Sequence, residues 1–123
     1  MEEVKIFDAE RKLMELIWER GTVRAAELVP LAREKMGWNK NTTYTVLRRL
    51  TERGVLRRSD PGFEVTALVS REEAAESETK NLLSRLYSGS LKLFFSSFLE
   101  KERLSREELD QLREIIEKQS GGR

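Results

Sequence analysis

The sequence predicts a mainly α chain with a small antiparallel β wing, and three observations carry that expectation. Residues 38–54, WNKNTTYTVLRRLTERG, read as one short helix with a clear start and stop. Asn39 can cap its first turn through its side-chain oxygen, and Gly54 can close its last turn in the left-handed conformation. Thr43, Val46, Leu47 and Leu50 fall at helical spacing on one face. Second, Phe7 to Met36 can form two helices before it, and Leu56 to Ala67 a hairpin after it. Third, Ser70-Arg71-Glu72-Glu73 and Ser105-Arg106-Glu107-Glu108 are capping boxes that open further helices. Three helices followed by a two-stranded wing is the winged form of the helix-turn-helix.

Taken in order, Asp8 suits the N-cap of a first helix, Ala9 to Arg20, that ends at Gly21. Leu13, Leu16 and Ile17 make its inner stripe, and Trp18 reads as a core residue. Thr22 can cap a second helix from Val23 toward Met36. Pro30 lacks a backbone donor and crowds the preceding turn, which predicts a kink or a late start. Gly37 ends this helix, and Trp38 is expected under the turn into the third. Leu56–Ser59 and Phe63–Ala67 are the wing strands around Asp60-Pro61-Gly62, with Pro and Gly at the central turn positions.

Beyond Ser70 the chain changes character. A first helix carries Leu82, Leu83, Leu86 and Tyr87 and breaks near Gly89. Ser90 caps a restart through Leu91, Phe94, Phe95, Phe98 and Leu99, and the last helix places Leu109, Leu112, Ile115 and Ile116 at regular spacing. About fifty residues in three short helices seldom hide such an apolar load alone. These side chains, Leu82, Leu86 and Tyr87 included, therefore read as a dimerisation surface. The expected division is a winged-helix DNA-binding domain over 1–69 and a three-helix dimerisation region over 70–123.

Net charge is only +1, but it is unevenly spread. Between Trp38 and Arg58 stand Lys40, Arg48, Arg49, Arg53, Arg57 and Arg58 against the single acid Glu52. A local basic patch on a nearly neutral chain suits a DNA reader with a separate association region. The outer face of the central helix offers Asn41, Thr42, Tyr44, Thr45, Arg48 and Arg49, with Lys40 at its start. Amide, hydroxyl, phenol and guanidinium groups are the chemistry that meets base edges and phosphates. Arg57 and Arg58, at the base of the wing, are expected to touch phosphate.

The first helix with Leu16-Ile17-Trp18, the run Trp38…Thr42…Thr45-Val46-Leu47-Arg48-Arg49-Leu50…Arg53-Gly54, and the tail Tyr87…Gly89…Leu91…Phe98-Leu99-Glu100-Lys101 resemble the penicillinase repressors of the BlaI/MecI family. So does the closing Leu104-Ser105…Glu108-Leu109…Leu112-Arg113…Ile115. The similarity runs from about Phe7 to Lys118. It implies a homodimeric repressor on double-stranded operator DNA, its C-terminal helices interlocked between subunits. It places the major-groove contacts at Asn41, Thr42, Tyr44, Thr45 and Arg48. In the best-known members a membrane-bound antibiotic sensor triggers proteolysis of an Asn–Phe bond in the dimerisation region. The matching pair here is Ser97-Phe98, a departure that counts against cleavage by a sensor protease at this bond.

Other classes fare worse. The chain has no Cys and no His, which excludes disulfides, Cys/His metal sites, His general bases and Cys nucleophiles. No metal and no cofactor is expected. Glu72-Glu73 and Glu107-Glu108 stand at helix starts, where capping explains them, and there is no phosphate loop or nucleophile elbow, so no enzyme is expected. The apolar run Leu91 to Phe98 is broken by Lys92, Ser96 and Ser97, so no membrane insertion is expected, and MEEVKIF lacks signal-peptide character. A cytoplasmic protein is the expectation. The alternative is a winged-helix protein-interaction module without sequence-specific DNA binding, whose central helix would be acidic or apolar on its outer face.

Overall fold

The computed structural model describes residues 5–121. In chain order the elements are α1 (Asp8–Arg20), β1 (Val23–Arg24), α2 (Ala25–Met36), α3 (Lys40–Glu52), β2 (Leu56–Ser59), β3 (Glu64–Ala67), α4 (Arg71–Leu86), α5 (Leu91–Lys101) and α6 (Arg106–Gly121). They group into two compact units, residues 1–81 and 82–123.

The first unit, the head, is built on one apolar core. Leu13, Met14, Leu16 and Ile17 of α1 meet Leu28 of α2, Val46, Leu47 and Leu50 of α3, and Val23, Leu56 and Val65 of the sheet. Thr43 is also fully buried, and its hydroxyl donates to the Asn39 carbonyl at 3.1 Å, so no polar atom is stranded. Trp18 lies partly buried against this core and donates its indole N–H to the Val69 carbonyl at 2.8 Å. Trp38 is likewise half-buried against the core.

The sheet has three strands, not two. Its order is β1-β3-β2, all antiparallel, with Val23 opposite Val65 and Arg58 opposite Val65 from the other side. The expected second helix therefore starts two residues late. Val23 and Arg24 are extended and paired, and the Glu27 carboxylate accepts from the Arg24 N–H at 3.1 Å as α2 begins. Thr22 does not cap this helix. Its hydroxyl pairs instead with that of Thr66 across the sheet, 2.9 Å away. Pro30 sits inside α2, six residues into a twelve-residue helix that begins at Ala25. The first helix also starts differently: Phe7 is the N-cap residue, its N–H held by the Glu10 carboxylate at 2.9 Å, and Asp8 is the first helical residue. An acid there still favours the helix dipole.

The central helix follows the sequence closely. Asn39 accepts from the Thr42 N–H at 2.8 Å, and Gly54 follows with φ 80°. The wing turn differs: Asp60–Pro61 is a cis peptide, and Phe63 belongs to the turn with φ 48° rather than to the strand.

Ser70 opens α4 with the expected reciprocal cap, its hydroxyl accepting from Glu73 N–H at 3.0 Å while Glu73 accepts from Ser70 N–H at 2.9 Å. The first turns of α4 belong to the head, however. Ala74 is buried in its core, Arg71 pairs with Glu15 of α1 at 2.7 Å, and Glu78 pairs with Arg11. The change in composition at residue 70 marks where a helix starts. The compact unit runs on to Asn81.

In the second unit Ser88 and Gly89 take φ 52° and 75° and break the chain between α4 and α5. Ser90 caps α5 through the Leu93 N–H at 2.9 Å, and Ser105 caps α6 through Glu108 N–H at 3.1 Å. Tyr87, Phe94, Phe95 and Phe98 make one aromatic cluster with ring centroids 5.2–5.3 Å apart. Nothing on α5 or α6 is buried, and Leu91, Phe98, Ile115 and Ile116 are each about half exposed or more.

Candidate nucleic-acid interface

Four buried side chains on α3, Thr43, Val46, Leu47 and Leu50, fix how the helix rolls against the head. At 3.6 residues per turn the line diametrically opposite them carries Asn41, Thr45, Arg48 and Glu52. All four are exposed. Lys40 and Tyr44 flank the line on one side, Thr42 and Arg49 on the other. Lys40, Asn41, Tyr44, Thr45 and Arg48 together line one shallow depression in the surface. Seven of the nine residues expected to meet DNA thus lie on one outward face.

The other two separate. Side chains alternate across a strand, so Arg58 lies on the same face of β2 as the buried Leu56, whereas Arg57 lies on the opposite face. Arg58 borders α3: with Phe63 it lines a second depression shared with Arg48, Thr51 and Glu52. Arg57 stands opposite Thr66, on the sheet face that also carries the Arg24–Glu64 pair at 3.9 Å. Arg58 is therefore continuous with the helix surface and Arg57 is not.

One member of the basic run turns inward. Arg53 pairs with the buried Glu10, donates to the Lys5 carbonyl at 3.2 Å and lies 5.1 Å over the Phe7 ring. It ties the end of α3 to the start of α1. The sequence reading missed Phe63, which the structure places between wing and helix: its ring meets Tyr44 edge-on at 5.3 Å and carries the Arg58 guanidinium 3.7 Å from its centroid. An aromatic residue directly after a Pro-Gly turn was the available signal. The surface so formed combines amide, hydroxyl and phenol groups with guanidiniums, and among the described residues no carboxylate pairs with Arg48 or Arg49.

Helix order, three-stranded sheet and outward polar helix define a winged helix-turn-helix protein. The sequence matches the penicillinase repressor profile over residues 6–118, and the chain belongs to that family, one of transcriptional repressors rather than enzymes. It is 30% identical over 115 residues to the penicillinase repressor of Bacillus licheniformis, covering 92% of this chain and 90% of that protein. It is 28% identical over 116 residues to the methicillin resistance regulatory protein MecI of Staphylococcus aureus strain N315, covering 93% of this chain and 94% of that one. The solution structure of the DNA binding domain of the repressor BlaI superimposes with a TM-score of 0.54 at 26% identity, over 58% of this chain and 90% of that one. Among the described residues no helix is long and apolar enough to cross a membrane.

Proposed function

We propose that this protein is a sequence-specific DNA-binding transcriptional repressor that acts as a homodimer on an inverted-repeat operator. The outward face of α3 carries the reading: Asn41, Thr45 and Arg48 are exposed, collinear and opposite a fully packed core face. Asn suits adenine, Arg suits guanine or phosphate, and Thr suits either base edge or a thymine methyl. Family membership and the likeness to the BlaI DNA binding domain support the same conclusion. A protein-interaction module would not need this face to be free of acids over its first three turns, from Lys40 to Thr51.

The second unit supports the homodimer. Its helices bury no side chain of α5 or α6 within one chain, yet they carry Leu91, Phe95, Phe98, Leu109, Ile115 and Ile116. A two-fold pair of heads presents the same helix twice, so the operator is an inverted repeat with half-sites about 10 bp, or a multiple, apart. Such a repressor works in the cytoplasm, where the DNA is. Ser97-Phe98, the bond that matches the family's cleavage point, lies inside α5 with its backbone in regular helix. Helical backbone and the absence of Asn together argue that induction here does not run through a sensor protease at this bond. A gel shift against genomic fragments over a salt series tests the proposal. A subset of fragments should be retained at salt that releases the rest, and uniform release would refute sequence-specific binding.

A further inference from the structure

Phe63 holds an unusual position. Among the described residues of the head it is the non-glycine residue with left-handed backbone, at φ 48°. A bulky side chain stays there only where its surroundings hold it, and such positions collect at functional sites. Three elements hold Phe63. Its carbonyl accepts the Ala25 N–H at the start of α2, 2.9 Å away. Its ring packs edge-on against Tyr44 of α3, with 69° between the planes. Its face carries Arg58 of β2. Tyr44 in turn lies under the Arg48 guanidinium, 5.9 Å from its centroid. Arg58, Phe63, Tyr44 and Arg48 therefore make one column, cation–ring–ring–cation, that runs from the wing to the outward line of α3. Asp60 steadies the wing end, accepting from Arg58 Nε at 3.0 Å.

Filling space does not require this arrangement. Phe63 and Tyr44 are only half-buried, at the rim of a core already closed by Leu47, Leu50, Leu56 and Val65. A guanidinium over a ring keeps its in-plane N–H donors clear of the ring while its long side chain is already ordered, so with Nε on Asp60 the two terminal nitrogens of Arg58 remain for a phosphate.

We propose that Phe63 is a positioning residue for the DNA backbone: through Tyr44 it holds Arg58 of the wing in register with Arg48 of the helix, so both guanidiniums meet one duplex together. This rests on the DNA-binding reading above. The test uses the full chain and two duplexes, one selected from random sequence by the wild-type protein and one of mixed sequence, titrated from 50 to 200 mM salt. Arg58→Ala should lose about one phosphate contact, so its affinity should fall about threefold less than wild type across that range. Phe63→Leu, which keeps apolar volume but no ring face, should reproduce that flattened slope with weaker binding at 50 mM, and Phe63→Tyr should restore the wild-type values. A folded Phe63→Leu with wild-type affinity and slope would overturn the proposal. Should Phe63→Leu fail to fold, Arg58→Lys decides. It keeps the charge on an exposed residue but loses the guanidinium–ring contact, so weakened binding supports the column and wild-type binding overturns it. If the wild type selects no duplex at all, the functional reading falls and this one with it; selection with unaffected variants removes the column alone.

Discussion

Replacing Arg53 by Ala should cost stability, whereas replacing Arg48, five residues earlier, should cost DNA affinity. Both stand in the same basic run, so sequence alone treats them alike. In the structure Arg53 is the partner of Glu10, whose side chain is 7% exposed, while the Arg53 side chain is 31% exposed. Without Arg53, Glu10 keeps, among the described residues, the Phe7 N–H as its one partner. A hydrogen bond to a charged group contributes about 1.5–3 kcal/mol, and stacking on Phe7 roughly 0.5–1 kcal/mol more. The expected loss is about 3 kcal/mol, or a fall in Tm of about 12 °C at ~4 °C per kcal/mol for a domain of this size. Arg48→Ala, on an exposed residue without an ion pair among the described residues, should stay within about 0.5 kcal/mol. The assay is thermal and urea unfolding of both variants, followed by a salt-titrated gel shift on the selected duplex. Glu10→Gln removes the buried charge, so Arg53→Ala should cost at least about 1 kcal/mol less on that background. If Arg53→Ala melted as wild type but flattened the salt slope by a unit, the inward assignment of Arg53 would be wrong.

Asn39→Ala should remove the α3 cap and cost about 1 kcal/mol in urea unfolding, because Thr42 N–H then lacks its 2.8 Å partner. Thr45→Ala and Asn41→Ala should each weaken the selected duplex by roughly 1–3 kcal/mol while barely changing mixed-sequence DNA, and equal loss on both would mean that the helix does not read bases. Arg57→Ala should leave the salt slope closer to wild type than Arg58→Ala does, since the two side chains leave opposite faces of β2. Phe98→Ala should shift sedimentation toward monomer at low micromolar concentration, since a Phe buried between copies is worth about 3–5 kcal/mol; an unchanged profile would count against the C-terminal helices as the dimer surface.

Legibility in the sequence followed the range of the forces. Local signals were legible: the caps at Asn39, Ser70, Ser90 and Ser105 and the stops at Gly37 and Gly54 depend on neighbours within a turn, and all six stand in the structure. The four core positions of α3 were legible because 3.6-residue periodicity is a local property too. Apart from the first cap, which falls on Phe7 rather than Asp8, what escaped was non-local. Val23 and Arg24 form a two-residue strand only because β3, some forty residues on, offers a free edge, and two residues carry no periodicity of their own. Phe63 looked like strand because an aromatic residue favours strands, but its contacts to Ala25, Tyr44 and Arg58 hold it in the turn. Arg57 and Arg58 looked equivalent until the pleat put them on opposite faces.

The arginines show how a nearly neutral chain can still present a cationic face. Arg11, Arg53 and Arg71 each pair with a carboxylate of the same chain, at Glu78, Glu10 and Glu15. Two of those pairs pin the first half of α4 to α1, and the third pins the end of α3 to the start of α1. These charges cancel locally and stiffen the frame that carries the recognition helix. Lys40, Arg48 and Arg49 lie on the other side of α3, where among the described residues no acid pairs with them, and Arg58 has only the exposed Asp60 at the wing tip. Net charge is thus a poor guide to this surface, because acids elsewhere on the chain, among them Glu10, Glu15 and Glu78 on structural arginines, offset the basic residues of this face. Glu52 is the exception that defines the limit of the face. It sits on the same line as Asn41, Thr45 and Arg48, at the C-terminal end, and lines the depression that Arg48 and Arg58 share. A carboxylate there disfavours phosphate beside it, so on the proposed reading phosphate meets Arg48 and Arg58 rather than Glu52, and base contacts fall to the N-terminal turns of α3, the end with which helix-turn-helix proteins reach base edges.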